Sequence, residues 1–273
     1  MNVRRSSTGA SLEIRLEEGT TRFSAHSREH IYWSHLEERI PENGFLKLAL
    51  LFFTFSTGVQ DTSVFLAFSC SASNPISNTE YLAIGATGLA PRALHYGVSG
   101  VCFTFFIAGA YATGQAERML GSSRRRIWLV VSSLTQATLI WAAGVIYYSC
   151  AVDQGSPAGY IILSFLSFSS ASQFVITRGF SRSELTSMSI STYIDLLADA
   201  KLHKASNSPR NYRFASLFSL VFGSFVGAYI TKRANVGVAF FIAALAKLVS
   251  TAWFLVKPTK GLEGIRRWHG SRN

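Results

Sequence analysis

The sequence predicts an all-α integral membrane protein, built as a polytopic bundle of about six transmembrane helices. Three observations predict it: six long apolar segments, a low charge content, and basic residues concentrated in alternate loops. Of the 273 residues, 48% are hydrophobic and 15% are charged, whereas about a quarter of the residues in a soluble domain are charged. Most segments reach the roughly 20 apolar residues that cross a bilayer. The predicted spans are 45–68, 98–116, 127–149, 158–177, 214–231 and 235–256.

The placement of basic residues predicts the orientation of these spans. Most Lys and Arg of this chain, whose net charge is +11, lie in the N-terminal tail, the 117–126 loop, the 178–213 loop and the C-terminal tail. The intervening loops carry Arg92, Lys232 and Arg233. Because an excess of Lys and Arg marks the cytoplasmic side, we expect both termini in the cytoplasm. The protein is then a multi-pass protein of the plasma membrane or an endomembrane.

The domain organisation follows from the same pattern. Residues 1–44 form a polar cytoplasmic tail, residues 45–258 form the six-span membrane domain, and residues 259–273 form a basic cytoplasmic tail. The expected partners are the lipid bilayer and, at the basic cytoplasmic loops, anionic lipid headgroups. Nucleic acid is not an expected partner, because the membrane holds the basic residues apart in separate loops.

Short motifs recur in the same order along the chain. Phe55-Ser-Thr-Gly-Val-Gln60 is echoed by Phe168-Ser-Ser-Ala-Ser-Gln173, and Gly109-Ala-Tyr111 is echoed by Gly227-Ala-Tyr229. The second pair is further apart than the first, which predicts an insertion between them. The order of the motifs predicts a duplication.

The predicted half-repeats are residues 45–149 and 158–256, with three spans each. An odd number of spans makes the repeat inverted in the membrane, as in many secondary transporters, whose sites lie at the repeat interface. Two segments, 76–90 and 184–200, are too short or too polar to span. Matching interrupted segments point to a binding site when they re-enter the membrane, and ordinary surface helices are the alternative reading.

Two ionisable residues fall inside predicted spans. Asp61 lies in the first span and Lys247 near the centre of the last. Charges in hydrocarbon are costly, face the bundle interior and pair. At about 1.5 Å per residue, Asp61 lies about 24 Å and Lys247 about 14 Å from the cytoplasmic end of its span. The hypothesis is a proton- or substrate-sensitive ion pair, and a purely structural pair is the alternative.

Polar residues within spans complete the predicted substrate site. Gln60 and Gln173 occupy matching places in the repeat, which favours them over Gln136. Interhelical hydrogen bonding is the alternative account for all three glutamines. Thr79 joins the predicted site because it follows Gln60 by 19 residues, as Thr192 follows Gln173.

Paired carboxylates raise an enzymatic alternative. Asp195 and Asp199 are four residues apart and share a helix face, so they are secondary site candidates that could hold Mg²⁺ and a diphosphate, as in a membrane terpene cyclase. A second acidic cluster is missing, and a solvated, charge-balanced face explains the pair better. His26 and His30 are four residues apart, but their segment lacks the buried scaffold that gives a metal site its fixed geometry. No nucleotide-binding motif occurs. We therefore predict no metal, no cofactor and no enzymatic activity.

The three cysteines, Cys70, Cys102 and Cys150, fall at or near the outer side of the predicted topology. One disulfide is conceivable, and buried unreactive thiols are the alternative. The sequence does not give a pairing.

Several motifs occur in a fixed order along the chain. They are Gly58-Val-Gln-Asp61-Thr-Ser-Val-Phe65, Ile76-Ser77-Asn78-Thr79, Ala171-Ser-Gln173, Tyr193-Ile-Asp195, Arg210-Asn211-Tyr-Arg213 and Ala246-Lys247. With these motifs the chain resembles the YoaK family of uncharacterised bacterial and fungal transmembrane proteins, and specifically its fungal branch. The resemblance covers roughly residues 45–258, with Ser77 where the family has glycine and Glu80 where it has an apolar residue. It implies a six-span bundle without a settled activity, and places Asp61, Asn78, Thr79, Gln173, Asp195 and Lys247 at motif positions. Asn78, which precedes Thr79, joins the predicted site as a residue that this resemblance implies.

The predicted function is a secondary transporter or permease of a small organic solute, with Asp61 as the candidate group for proton coupling. The second reading is a membrane scaffold or accessory protein that binds a lipid or hydrophobic metabolite. A membrane enzyme is the third. A transporter is expected to line a wet cavity with the polar residues, whereas a scaffold is expected to bury them as closed pairs.

Overall fold

The computed structural model describes residues 44–89, 96–120, 125–180, 190–199 and 207–256. Both predicted polar tails, with His26 and His30, lie outside the described residues, as do parts of the second short segment. The described residues form eight α-helices and contain no β-strand. The helices are α1 (Gly44–Phe68), α2 (Pro75–Ala86), α3 (Tyr96–Leu120), α4 (Arg126–Ser149), α5 (Pro157–Phe180), α6 (Ile190–Leu197), α7 (Ser208–Arg233) and α8 (Val236–Val256).

Six of these helices, α1, α3, α4, α5, α7 and α8, are long and apolar enough to cross a membrane. The predicted all-α polytopic bundle is confirmed. α3 and α7 extend beyond their predicted spans because their terminal turns are polar and escape a hydrophobicity search. At the start of α7, for example, the Asn207 side chain accepts a hydrogen bond from the backbone of Arg210, and Pro209 occupies the first turn.

The helices of the two halves pack in matching pairs. α1 packs against α7 and α8, while α5 packs against α3 and α4. Each short helix packs on the long helix that follows it, α2 on α3 and α6 on α7. α4 packs against α8, and α1 touches α5 across the centre. The third long helix of each half therefore packs against the first helix of the other half.

Hydrogen bonds repeat this symmetry at the level of single side chains. Gln60 Nε2 donates to Ser170 Oγ over 2.9 Å, and Gln173 Nε2 donates to Thr57 Oγ1 over 3.0 Å. Each glutamine also donates to the backbone carbonyl one turn before that hydroxyl. The spacing that relates Gln60 to Gln173 also relates Thr57 to Ser170, so the contacts are equivalent.

The glycine alignment of the sequence analysis is wrong by one helical turn. Gly109 lies against the backbone of Phe168, and Gly223, not Gly227, lies against the backbone of Phe55. Phe55 and Phe168 are the equivalent residues in the two halves, so Gly223 is the counterpart of Gly109. The Gly-Ala-Tyr tripeptide misled the alignment because α7 carries small residues on successive turns, which makes a one-turn shift look plausible.

Candidate functional site

A layer of polar side chains crosses the middle of the bundle and divides its apolar core into two. One apolar cluster includes Phe68, Ile140 and Phe240, and the other includes Leu46 and Phe254. Between them lie buried side chains that we call the middle polar layer. Its members are Ser56, Thr57, Gln60, Gln136, Ser169, Ser170, Gln173 and Lys247.

Lys247 is the cation of this layer and is 1% exposed. It lies near the middle of α8, and its ammonium donates to Gln136 Oε1 over 2.9 Å and to Ser169 Oγ over 3.3 Å. It also lies 6.0 Å from the ring centre of Phe53, on whose π-face a cation is attracted. These neutral partners replace part of the hydration that a buried ammonium loses.

The side chains of Gln60 and Gln173 each form a hydrogen-bonded pair with a hydroxyl group on the other helix, and such pairs hold helices together. Both are buried and donate across the interface between α1 and α5. Ser56 and Ser169 add a second matched pair, since they donate to the carbonyls of Ala243 and Gln136. Interhelical bonds of this kind contribute about 0.6 kcal/mol each in a membrane.

Asp61 lies beside this layer on α1, where the chain folds back on itself. α1 ends seven residues later, which corresponds to about 10 Å of helix. Ser69 then adopts a left-handed conformation with φ of 54°, and the connection returns far enough for Ser73 to donate to Asp61 Oδ2. Asp61 Oδ1 is buried and has no hydrogen-bond partner among the described residues.

The geometry of α2 fits this return. Gly85, at its end, packs against Tyr96 at the start of α3, and Leu82 packs beside Gly100 one turn further along α3. α2 and α3 are therefore antiparallel. α2 begins two residues after Ser73, which contacts Asp61, although Ile76 in its first turn is exposed. Re-entry of segment 76–90 into the membrane stays a prediction.

The structure brings one of the two predicted loop residues into this connection. Asn78 is buried, accepts from the Ser71 backbone amide over 3.3 Å and donates to its carbonyl over 2.6 Å. It thereby braces the returning chain. Thr79 is exposed and donates to the Pro75 carbonyl of its own helix over 2.9 Å, so it points away from Asp61.

The direct ion pair between Asp61 and Lys247 does not form. Asp61 is bonded by Ser73, and Lys247 by the middle polar layer. Counted along α1 and α8 from their shared end, the two residues differ in height by about 12 Å, which is more than a lysine side chain spans.

The two ionisable residues lack like counterparts in the other half, unlike the matched glutamines and serines. The counterpart of Asp61, one residue after Gln173, is Phe174. Gln136 and Ala243 are counterparts through their matched serines, so the counterpart of Lys247, one turn later, is Ile140. Gln136, the main partner of Lys247, likewise has no matching glutamine.

The secondary candidates are part of a different contact. Asp199 accepts from Asn207 Nδ2 over 3.0 Å and lies 4.0 Å from the Arg213 guanidinium, so it ties the end of α6 to the start of α7. The side chain of Asp195 lies outside the described part of the structure. Within that part, no group of three or more His, Cys, Asp or Glu residues is arranged to hold a metal ion.

One residue and one contact near the site left no sign in the sequence, and a further residue was underrated. Ser73 lies in a loop whose return is set by backbone conformation. The contact between Cys70 and Cys102 joins residues 32 positions apart. Gln136 ranked below the other glutamines because the repeat gives it no matching glutamine, yet it is the main partner of Lys247. The signal that could have found it is the equal height of the two residues on neighbouring antiparallel helices.

Comparison with known proteins identifies a family and no activity. The family model described as "Protein of unknown function (DUF1275)" matches residues 49–253, from the first turns of α1 to the last turn of α8. No curated protein and no solved structure matches the chain. The match includes Asp61, the returning connection, the middle polar layer and Lys247. The chain is therefore an integral, multi-pass membrane protein that belongs to the DUF1275 family.

Proposed function

We propose that the protein is a secondary transporter or permease of a small organic solute, with Asp61 as the group that couples a proton. The observation that carries the proposal is the Asp61 carboxylate, with one oxygen bonded by Ser73 and the other buried without a hydrogen-bond partner among the described residues. A buried polar atom of this kind costs about 1–3 kcal/mol. Such a cost persists where a proton, ion or ligand completes the site during a working cycle.

The surroundings of Asp61 support the same proposal. Transporters with inverted repeats place their sites where interrupted helices meet the repeat interface. Here the returning connection before α2 meets α1, which contacts both α5 and α8 of the other half. Irregular backbone inside a membrane is tolerated where protein or a wet cavity covers it. Asp61 and Lys247 also lack charged counterparts in the other half, where Phe174 and Ile140 stand.

A second candidate is a membrane scaffold that binds a lipid or hydrophobic metabolite. The closed bonds of Gln60, Gln173 and Lys247 favour it, because they leave these donors engaged with protein. A membrane enzyme is not proposed, because Asp199 is engaged with Asn207 and Arg213. If the protein is a transporter, these hydrogen bonds belong to an occluded conformation, and a bound solute would break them.

We also propose the membrane arrangement that the charge pattern predicts. Both termini lie in the cytoplasm of a plasma-membrane or endomembrane protein, with anionic headgroups at the basic loops and no nucleic-acid partner. The narrower assignment to the YoaK family and its fungal branch stays a prediction from the motifs.

The transporter proposal predicts that a solute stabilises the folded protein through Asp61. Purified protein would be melted with a panel of metabolites and lipids at two pH values, beside Asp61→Asn and the exposed-carboxylate control Glu80→Gln. A ligand that binds the native form at 100 times its Kd adds about 2.7 kcal/mol. We expect a shift for wild type and Glu80→Gln that Asp61→Asn loses. Stabilisation by lipids alone, equal in all three, would favour the scaffold.

The orientation predicts which cysteine is reached from outside. Cys150 is exposed at the end of α4, whereas Cys70 and Cys102 are buried. In sealed membrane vesicles with a known side out, a membrane-impermeant maleimide should label Cys150 from the side opposite the termini, and Cys150→Ser should remove the label. A cysteine added to the N-terminus should be labelled only from the other side of the membrane. Labelling of both from one side would contradict the proposed topology.

A further inference from the structure

The two buried thiols lie in contact where the returning connection meets α3. Cys70 follows the end of α1 by two residues, and Cys102 lies within the second turn of α3. Their sulfur atoms are 3.5 Å apart, and both side chains are fully buried. A disulfide needs sulfurs about 2.05 Å apart, so bond formation requires an approach of about 1.5 Å, which small side-chain rotations can provide.

We propose that Cys70 and Cys102 are a disulfide site, which a small-molecule or protein disulfide oxidises by exchange. One cysteine thiolate attacks the external disulfide and releases its first thiol. The second cysteine thiolate then attacks the mixed disulfide and releases the second thiol. The two cysteines give up two electrons and two protons, and the external disulfide leaves as two thiols, so the exchange balances.

The position of the pair gives the bond a structural consequence. Cys70 belongs to the connection that carries Ser73 to Asp61, and Asn78 braces that connection from α2. A bond from Cys70 to α3 would close a loop that contains the whole of α2. The oxidised protein would hold the returning connection against α3, whereas in the reduced protein it is held by hydrogen bonds and packing.

The same surroundings predict slow oxidation of the folded protein. The contact with Cys102 and burial both raise the pKa of the Cys70 thiol, and the thiolate is the reactive form. Burial of both sulfur atoms also limits the access of an oxidant. Exchange is therefore expected over hours rather than minutes. In the proposed topology the pair lies toward the outer face, the side on which disulfides persist in cells.

The experiment counts thiols in full-length protein carrying Cys150→Ser, which leaves Cys70 and Cys102 as its two cysteines. The protein is incubated with oxidised glutathione, blocked with N-ethylmaleimide, unfolded, reduced and then treated with a PEG-maleimide. Two added PEG groups, with no dimer on a non-reducing gel, are expected. Further variants with Cys70→Ser or Cys102→Ser should add none after removal of dimers and glutathione adducts.

Two free thiols after overnight oxidation would overturn the proposal, provided that the same oxidant joins them in the SDS-unfolded protein. The disulfide should also raise the melting temperature of the oxidised form by roughly 5–10 °C, since it closes a loop of about 30 residues. If the oxidised and reduced proteins melt at the same temperature, the disulfide does not hold the returning connection against α3. Neither readout needs a solute, so either can fail independently of the transporter proposal.

Discussion

Replacing Gly58 by alanine is expected to lower the free energy of unfolding by about 3 kcal/mol, the upper end of the usual range for overpacking. An added Cβ at Gly58 would lie 2.3 Å from the Leu220 carbonyl oxygen and 2.9 Å from the Ser224 backbone nitrogen. Both atoms belong to the backbone of α7, so no side-chain rotation can relieve the clash. The α1 and α7 helices would have to separate along the interface that joins the two halves.

A matched control separates this effect from the general preference of helices for alanine. Gly114 lies inside α3, and a Cβ there would meet nothing within 4 Å. Gly114→Ala should therefore leave stability unchanged or raise it by up to about 1 kcal/mol. Thermal unfolding in detergent, followed by tryptophan fluorescence, measures both variants. Equal melting temperatures for Gly58→Ala and Gly114→Ala would show that the backbones are not in contact at this crossing.

The contact between α1 and α7 also shows how far the sequence could predict the fold. Hydropathy predicted all six spans, because burial in lipid selects for apolar segments regardless of tertiary contacts. Which glycine of α7 meets which carbonyl of α1 depends on the rotation and height of α7 against α1, and hydropathy carries no information on either. A one-turn error preserves a small residue at each contact, so Gly227 could stand in for Gly223 in an alignment without any conflict.

The candidate site was predicted in part, for a similar reason. Asp61, Lys247 and the two glutamines could be selected from the sequence because polar groups inside apolar spans are rare. Their partners could not be selected, since the return of the connection depends on Ser69 adopting a left-handed conformation. That return brings Ser73, rather than Lys247, to the Asp61 carboxylate.

Asp61→Asn is expected to make the protein more stable, by about 1–3 kcal/mol near neutral pH. Asparagine keeps an oxygen that can accept from Ser73, and it removes a charge from a membrane span, where charges are costly. The Nδ2 group that replaces the buried Oδ1 also has no partner among the described residues, so the expected gain comes from removing the charge. A residue kept for function at the expense of stability behaves in this way, whereas a structural residue loses stability when it is replaced.

The pH dependence of that difference provides the decisive check. Protonation removes the same charge from the wild-type carboxyl that asparagine removes permanently, so the two melting temperatures should converge as the pH falls. Glu80→Gln, which changes an exposed carboxylate on α2, should melt like wild type throughout. If Asp61→Asn instead melts several degrees lower than wild type at every pH, Asp61 holds the returning connection in place. That result would favour the scaffold over the transporter, because Asp61 would then be a packing residue rather than the group that couples a proton.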